Sequence, residues 1–310
     1  LKTGELTLLA ENPGNIQGWM TDHEGKLRVA TAIVDGINTQ VLYRDTEDEP
    51  FRAVLTTNFR DVVIFMEFTP DNKEVYAATN LGRDKTVLVR MNPANCQELE
   101  LLYENDQYDI SSISYSRKRK KLLSVYCTGH KEPIRHYFDA DEEALRTRIK
   151  AHFPNQRYGI ADTDKAEEHY LIYVGGDRTR GAYWFYDAQT DEATPMAELA
   201  PWIKAEDMNE MHAVKYASRD GLTIEAYLTL PNGLSINEAH QLPVVINPHG
   251  GPWARDCWGY SSEVQFLANR GYAVFQMNFR GSTGYGRSFL EASYKQWGLK
   301  MQDDITDGVN

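Results

Sequence analysis

The chain has 310 residues, 42% of them hydrophobic and 25% charged, which is typical of a folded globular protein and not of a disordered one. Its 33 basic and 45 acidic residues give a net charge of −12, which argues against a nucleic-acid backbone as the default partner. No apolar run approaches the roughly 18 residues that a membrane-spanning helix needs, and the length suits about two domains.

A repeat with a period of about 47 residues runs through the first two thirds of the chain. Its clearest mark is a polar turn after an apolar strand end: Met20, Phe68 and Tyr115 hold equivalent positions, 48 and 47 residues apart. A second turn recurs at the same spacing, and a looser fourth copy starts near Ile160. About four strands per unit at this period are typical of β-propeller blades. A β-sandwich with accidental spacing is the alternative, but it does not explain why two separate turns keep one register.

The sequence predicts about four such blades plus a strand within residues 1–205. Residues 1–4 match the turn that follows a strand in each repeat. Propellers close with about four to eight blades. We therefore expect a partial β-propeller whose earlier blades are missing, and a first residue, leucine, that is not the natural N terminus. A small closed propeller is the alternative.

The pattern changes near residue 206. Residues 211–216 and 222–228 alternate apolar and polar side chains around Asp220 and Gly221, which predicts a β-hairpin. An unbroken apolar run at residues 242–247 predicts a buried strand of a parallel sheet, and residues 272–278 predict a second one.

Helices are predicted between and after these strands. Ser262 and Gln265 form a capping box, and Gly271 is a natural helix stop. A second helix is predicted from Ser288 towards Trp297, and a third over residues 303–310, with acidic residues in its first turn. We therefore predict that residues 206–310 form the first part of an α/β domain.

The candidate for chemistry is the His-Gly-Gly-Pro loop (residues 249–252), which directly follows the first apolar strand. Sites in open α/β sheets form at the carboxyl ends of strands. Two adjacent glycines, Gly250 and Gly251, let backbone N–H groups approach a ligand closely. A His-Gly-Gly loop after an early strand is the α/β-hydrolase form of an oxyanion loop, which stabilises negative charge on an attacked carbonyl. A tight turn with a structural His249 is the alternative that these residues leave open.

A hydrolase of this kind also needs a serine within G-x-S-x-G, and the sequence contains none. Ser282 has Arg280 where the first glycine belongs, and the segment around Ser261 lacks the second glycine. Because the triad order in this fold is serine, acid, histidine, a serine beyond residue 310 would place all three groups beyond it. The sequence therefore predicts an oxyanion loop without a catalytic triad, on a fragment that is inactive alone.

Spacing argues against other kinds of site. His130 and His136 belong to no metal-binding motif, and the acidic run at residues 139–143 lacks the glycine of a calcium loop. The basic run at residues 117–121 coincides with a turn of the repeat, which predicts a solvated turn and not a nucleic-acid site. Three distant cysteines predict neither a disulfide framework nor a zinc site: Cys96, Cys127 and Cys257. We predict no cofactor and no metal.

Four segments together resemble the prolyl oligopeptidase family of serine peptidases, and within it the branch of acylaminoacyl-peptidases and dipeptidyl aminopeptidases. They are residues 249–256, 266–272, 278–286 and 303–308. The resemblance is dense over residues 206–310. It implies a β-propeller that caps an α/β-hydrolase domain and restricts access to short peptides, which a Ser-Asp-His triad cleaves through an acyl-enzyme without a cofactor.

The resemblance leaves the oxyanion donor open. Many members carry a tyrosine at the position of His249, and its hydroxyl serves as a donor. Here either the His249 side chain or the backbone of Gly250 and Gly251 donates. The cleavage specificity, the oligomeric state and the compartment, cytoplasmic or periplasmic, stay open too, and no residue stands out as a charged anchor for a substrate terminus.

Two other functions remain as alternatives. One is a propeller that binds a peptide or protein partner and carries a degenerate hydrolase appendage. The other is an esterase on the same fold.

Overall fold

The computed structural model describes residues 3–309. Four antiparallel sheets follow one another along the chain, and a mixed sheet comes after them. The first sheet holds four strands in sequential order: β1 Ile16–Thr21, β2 Leu27–Val34, β3 Asn38–Tyr43 and β4 Arg52–Thr57. The second repeats this order: β5 Val63–Phe68, β6 Val75–Thr79, β7 Val87–Asn92 and β8 Gln97–Tyr103. Tandem four-stranded meanders of this kind are the units of a β-propeller.

The third and fourth sheets complete the repeat. The third has only three strands: β9 Ile110–Ser116, β10 Lys121–Cys127 and β11 Ile134–Tyr137. The fourth has four: β12 Arg157–Thr163, β13 His169–Gly175, β14 Ala182–Asp187 and β15 Glu192–Glu198. The additional strand predicted near the N terminus is not found, because residues 3–15 contain no strand. Leu1 and Lys2 of the predicted first turn lie outside the described residues.

Neighbouring sheets pack through apolar side chains that alternate along their strands. Val29 and Val41 of the first sheet belong to one core with Phe68 and Val89 of the second. A second core joins the second and third sheets and includes Tyr285 from the last third of the chain. Complete burial of each large side chain contributes about 1.5–3 kcal/mol, so these cores fix how successive sheets lie against one another.

A helix takes the place of the fourth strand in the third sheet, which the repeat did not predict. This helix, α1, spans Ala140–His152, and Asp139 caps it by accepting a hydrogen bond from the Glu142 amide at 2.9 Å. The acidic run that follows Asp139 is therefore the first turn of a helix, where negative charge suits the helix dipole. The sequence carried this signal, an N-cap followed by acidic residues.

The Asp139 carboxylate does more than cap α1. Burial alone would raise the pKa of Asp139, but hydrogen bonds from Lys121, the Glu142 amide and Arg119 lower it to about 2. A carboxyl with a lowered folded pKa stabilises the fold above its unfolded pKa of about 3.9, and the contribution is lost as the pH falls towards the folded value.

We expect Asp139→Ala to lower the free energy of unfolding by about 1–2 kcal/mol near neutral pH, because it removes the cap and two charge-assisted hydrogen bonds. Urea unfolding measures the loss, which should shrink as the pH is lowered from about 5 to about 3. Asp141→Ala is the matched control, since Asp141 lies in the same turn but its side chain is 89% exposed. An equal loss for both variants would contradict this role of Asp139.

The mixed sheet follows a short 3₁₀ turn, Ala205–Asp207. Its strands, in chain order, are β16 Met211–Ala217, β17 Thr223–Thr229, β18 Val244–Ile246 and β19 Ala273–Asn278. The spatial order is β16-β17-β19-β18, and only β18 and β19 are parallel. The predicted hairpin is present, with Gly221 at φ +85° in its turn.

The two apolar strands of this sheet differ in burial. Every residue of β19 is buried, as predicted. β18 has only three residues, and Val244 is 50% exposed, so the prediction of a buried strand over residues 242–247 is wrong in length and burial. The reason is its place: within the described chain β18 pairs with β19 alone and forms an edge of the sheet.

The helices of this region are α2 Ser262–Ala268, α3 Arg287–Glu291 and α4 Lys300–Asp307. The N-cap of α2 is Ser261, whose hydroxyl accepts from the Val264 amide, and not Ser262 as the capping box predicted. The helix predicted towards Trp297 is only five residues long, and α4 begins three residues before its predicted start. Asn310 lies outside the described residues. In the described part of the chain no helix has the length and hydrophobicity to cross a membrane.

Candidate functional site

The His-Gly-Gly-Pro loop leaves the sheet at the carboxyl end of β18, between the third strand of the mixed sheet and α2. Gly251 has φ +131°, and a Cβ atom there would lie 2.7 Å from the Trp253 amide nitrogen. A Cβ at Gly250 would meet no atom within 4 Å. The bend therefore requires glycine at one of its two positions, Gly251.

We expect Gly251→Ala to lower the free energy of unfolding by about 1–3 kcal/mol, because alanine is strained at this φ and its Cβ meets backbone that has little room to move. Gly250→Ala is the matched control, and we expect a change below about 0.5 kcal/mol. Thermal or urea unfolding of both variants measures the difference. Equal stability of the two would mean that the bend relaxes freely.

The backbone N–H groups of the bend have no acceptor. Among residues 3–309, neither the Gly250 amide nor the Gly251 amide donates a hydrogen bond to another group of the chain. Both glycines are exposed, so these two adjacent N–H groups are accessible to an external acceptor. The loop can thus present donors to an oxygen that develops negative charge.

The His249 side chain is held within the protein. Its ring stacks on Phe279 with a centroid distance of 4.6 Å, and Nδ1 lies 2.9 Å from the Gly250 carbonyl oxygen. Nε2 lies 2.8 Å from the Ser282 hydroxyl. That hydroxyl also lies 2.7 Å from the Phe279 carbonyl oxygen, so its single proton has two neighbouring acceptors, Nε2 and this carbonyl. The imidazole therefore spans from the loop to the turn after β19.

A serine beside a histidine is also the geometry of a nucleophile and its base, so Ser282 needs a separate test. Ser282 is 0% exposed, and its hydroxyl lies as close to the Phe279 carbonyl oxygen, 2.7 Å, as to the histidine, 2.8 Å. In the described chain no carboxylate contacts His249 Nδ1, where an orienting acid would be expected. A buried hydroxyl without access to substrate and without an oriented base does not fit a nucleophile.

Asp256 is the acid nearest in sequence to the loop. Burial raises the pKa of Asp256, an effect that the nearby His249 only partly opposes, and its Oδ2 atom is buried without a hydrogen-bond partner in the described residues. Its backbone is fixed, since its amide donates to Asn278 Oδ1 at 2.8 Å and its carbonyl accepts from Asn278 Nδ2 at 3.0 Å. This pairing anchors the far end of the loop to the last residue of β19.

A buried polar network connects the loop to the third antiparallel sheet. Arg255 donates to the Tyr285 hydroxyl at 2.9 Å, and that hydroxyl donates to Glu225 at 3.0 Å. Tyr108, from the segment before β9, donates to the same carboxylate at 2.6 Å. Burial acts to raise the pKa of Glu225, but hydrogen bonds from Tyr108 and Lys215 lower it on balance. The carboxylate is therefore charged and shared between two parts of the fold.

The sequence pointed to the His-Gly-Gly-Pro loop but missed this network. Tyr108 and Glu225 are 117 residues apart and carry no motif, and no local pattern predicts their contact. The structure also shows partners of the loop on the turn after β19, a segment that the sequence linked only to a rejected nucleophile motif at Ser282 and to the family resemblance.

The remaining sequence candidates form no second site. Residues 3–309 hold no cluster of His, Cys, Asp and Glu suited to a metal ion. Cys96 and Cys127 are buried free thiols, and Cys257 is an exposed one. The basic run lies on the exposed turn between β9 and β10, where Arg119 pairs with Asp139.

Comparisons with known proteins give a consistent set of relatives. The sequence profile of the prolyl oligopeptidase family matches residues 258–310. Dipeptidyl aminopeptidase BIII of Pseudoxanthomonas mexicana is 29% identical over 323 residues, which cover 100% of this chain and 45% of that protein. Dipeptidyl peptidase family member 6 of Caenorhabditis elegans is 28% identical over 341 residues, or 99% of this chain and 45% of that protein.

The fold is similar to that of a solved peptidase structure. A puromycin-hydrolyzing peptidase of Mycobacterium tuberculosis superimposes with a TM-score of 0.71 at 16% identity, over 97% of this chain and 47% of that one. At that identity the likeness concerns the fold alone. The chain spans about half the length of the relatives that it matches.

Proposed function

We propose that this chain, which is similar to members of the prolyl oligopeptidase family, forms part of a serine peptidase that hydrolyses short peptides through an acyl-enzyme. The observation that carries this proposal is the pair of unpaired backbone N–H groups at Gly250 and Gly251. Relatives across the whole chain are named as dipeptidyl peptidases, which favours peptides over simple esters as substrates.

We assign the four tandem sheets, residues 1–205, to a β-propeller part and residues 206–310 to the first part of an α/β-hydrolase domain. The mixed sheet supports this assignment. In α/β-hydrolases one oxyanion donor comes from the loop between the third strand and the first helix. The His-Gly-Gly-Pro loop occupies that position, between β18 and α2.

The oxyanion donors in this proposal are the backbone N–H groups of the bend and not the His249 side chain. The imidazole is already engaged by Ser282 and stacked on Phe279, so it is not free to turn towards a substrate oxygen. His249 is then a positioning residue, which fixes the bend relative to β19. Each backbone donor aimed at the oxyanion is worth about 10²–10³ in rate.

The nucleophile in this proposal lies in the part of the peptidase that this chain does not include. The chain matches less than half of each relative's length, and the only serine that contacts a histidine of the loop region in residues 3–309 is the buried Ser282. An incoming peptide carbonyl would be attacked by that outside serine while the bend stabilises the developing O⁻.

Turnover by the peptidase that contains this chain tests the proposal. We expect cleavage of dipeptidyl and N-acetyl-aminoacyl 4-nitroanilides that is abolished by a fluorophosphonate. Turnover of 4-nitrophenyl esters without any amide cleavage would instead assign an esterase, and peptide binding without either activity would assign a binding module.

A further inference from the structure

A cavity of about 570 Å³ lies between the third and fourth antiparallel sheets. Strands β9, β10, β11 and β12 and helix α1 line it, and every lining residue falls between positions 112 and 160. It is therefore separate from the His-Gly-Gly-Pro loop. Its volume lies within the roughly 300–1,000 Å³ of small-molecule sites.

The cavity is basic in an acidic protein. Four of its lining residues are basic and one is acidic: Arg135, Arg146, Lys150 and Arg157 against Glu132. The chain as a whole carries a net charge of −12. Because the rest of the protein carries a net negative charge, the positive charge of the cavity attracts anions to the cavity and not to the surface around it.

Arg135 has no carboxylate partner. Its guanidinium donates to the hydroxyls of Ser114 at 3.3 Å and Ser124 at 2.8 Å, and no carboxylate of residues 3–309 lies within 4.0 Å of it. Burial lowers the pKa of Arg135, the direction expected for a cation that is poorly compensated. Arg146, by contrast, forms an ion pair with Glu142 inside α1.

Arg157 is in a similar situation. It donates to the Trp258 carbonyl at 3.0 Å and lies over the Trp258 ring at 4.1 Å. Its Nε atom is buried and has no hydrogen-bond partner in the described residues, and burial lowers its pKa as well. Two guanidinium groups thus line one cavity, and neither forms an ion pair with a carboxylate of the described residues.

We propose that this cavity binds the carboxylate of a peptide, with Arg135 and Arg157 as its anchors. The planar guanidinium fork matches a carboxylate in geometry and charge, and the low dielectric of a half-buried site strengthens the interaction. The aromatic rings of Tyr126, Tyr137 and Tyr158 supply contact area beside the two cations. The choice of a peptide as the carboxylate's carrier rests on the proposed function, whereas the anion site itself does not.

A peptide can offer a carboxylate in two ways, at its C terminus or on an acidic side chain. Isothermal titration calorimetry on the full 310-residue chain separates them with three N-acetylated peptides. The first is tetra-alanine with a free C terminus, the second is its amide, and the third is an amidated tetrapeptide with one glutamate. Acetylation removes the N-terminal charge, so the peptides differ only in the carboxylate.

We expect at least one carboxylate peptide to bind and the uncharged amide to bind at least about tenfold more weakly. Arg135→Gln and Arg157→Gln should each lower the affinity for the carboxylate peptide roughly tenfold to a hundredfold. Arg117→Gln makes the same charge change on the exposed β9–β10 turn and should leave binding unchanged. Binding by the free-acid peptide alone assigns the C-terminal carboxylate, and binding by the glutamate peptide alone assigns an acidic side chain.

The proposal is overturned if no carboxylate peptide binds, or if the amide binds equally well. It is also overturned if both arginine variants, shown by circular dichroism to melt as the wild type does, bind as the wild type does. Should Arg135→Gln unfold, Arg157→Gln and the three peptides on the wild-type chain still decide. Because calorimetry needs no turnover, a failure of the proposed peptidase activity leaves this result unaffected.

Discussion

Asp304→Asn is expected to lower the free energy of unfolding by about 3 kcal/mol, the largest stability effect that we predict for a single substitution. Asp304 is 0% exposed and receives the Nε and Nη2 atoms of Arg280 at 2.8 and 2.7 Å. It also accepts from the Arg280 amide at 2.9 Å and from the Ser218 hydroxyl at 2.7 Å. The NH₂ group of an asparagine here would face the N–H donors of Arg280. The buried Arg280 guanidinium would then keep only one carboxylate partner, Asp220.

Arg280 joins three parts of the mixed sheet region. Its hydrogen bonds to Asp304 and Asp220 raise the pKa of Arg280, so the guanidinium is charged at any relevant pH. These bonds tie α4 and the hairpin turn to the end of β19. Breaking one partner of such a buried pair costs much more than the pair itself contributes.

Asp303→Asn is the control for this prediction. Asp303 is the neighbouring residue of α4 and pairs with Arg219 at 2.9 Å, but both side chains are exposed. We expect a change below about 1 kcal/mol. Urea unfolding of the wild type and both variants provides the comparison, and similar losses at the two positions would show that the buried pair has no special weight.

His249→Ala is expected to lower kcat of the whole peptidase by about 10²-fold with little change in KM, because the bend that we propose stabilises the oxyanion loses its support. Ser282→Ala should lower kcat in the same direction, by roughly tenfold, since it removes the hydrogen-bond partner that holds His249. The variant with both substitutions should have a kcat only slightly below that of His249→Ala alone, because the two side chains act together in holding the bend.

Ser282→Ala separates three roles. If the imidazole itself donated to the oxyanion, freeing its Nε2 would leave kcat unchanged or raise it. If Ser282 were the nucleophile, its removal would abolish catalysis and not merely reduce it. Steady-state kinetics on a peptide nitroanilide distinguishes these outcomes from the partial fall in kcat that a positioning role predicts. Gly250→Ala and Gly251→Ala are measured beside it.

The sequence allowed the repeat to be predicted because each sheet is a local meander. The turn after Met20 and the turn after Phe68 each link the first two strands of their own sheet, so the period in the sequence corresponds to one sheet in the structure. Helix α1 broke the pattern, because its N-cap and first turn outweigh the strand that the period leads one to expect. Strand β18 was mispredicted for another reason: an apolar run does not say which strands will lie beside it.

The candidate site was predictable only in part. The His-Gly-Gly-Pro loop carries a local pattern, and its position after a strand follows from that pattern. The contact between His249 and Ser282 joins residues 33 positions apart. The two arginines of the cavity, Arg135 and Arg157, are notable because no carboxylate of the described residues pairs with them. A single sequence shows neither contacts between residues so far apart nor the lack of an ion-pair partner for a buried cation.

We propose that the chain holds the oxyanion donors of a serine peptidase but not its nucleophile. The most direct test treats the folded 310-residue chain, verified by a cooperative thermal melt, with a fluorophosphonate probe and detects the adduct by intact mass spectrometry. We predict that the chain gains no adduct while the whole peptidase is labelled once. Stoichiometric labelling of a serine in this chain, Ser282 above all, would contradict the account.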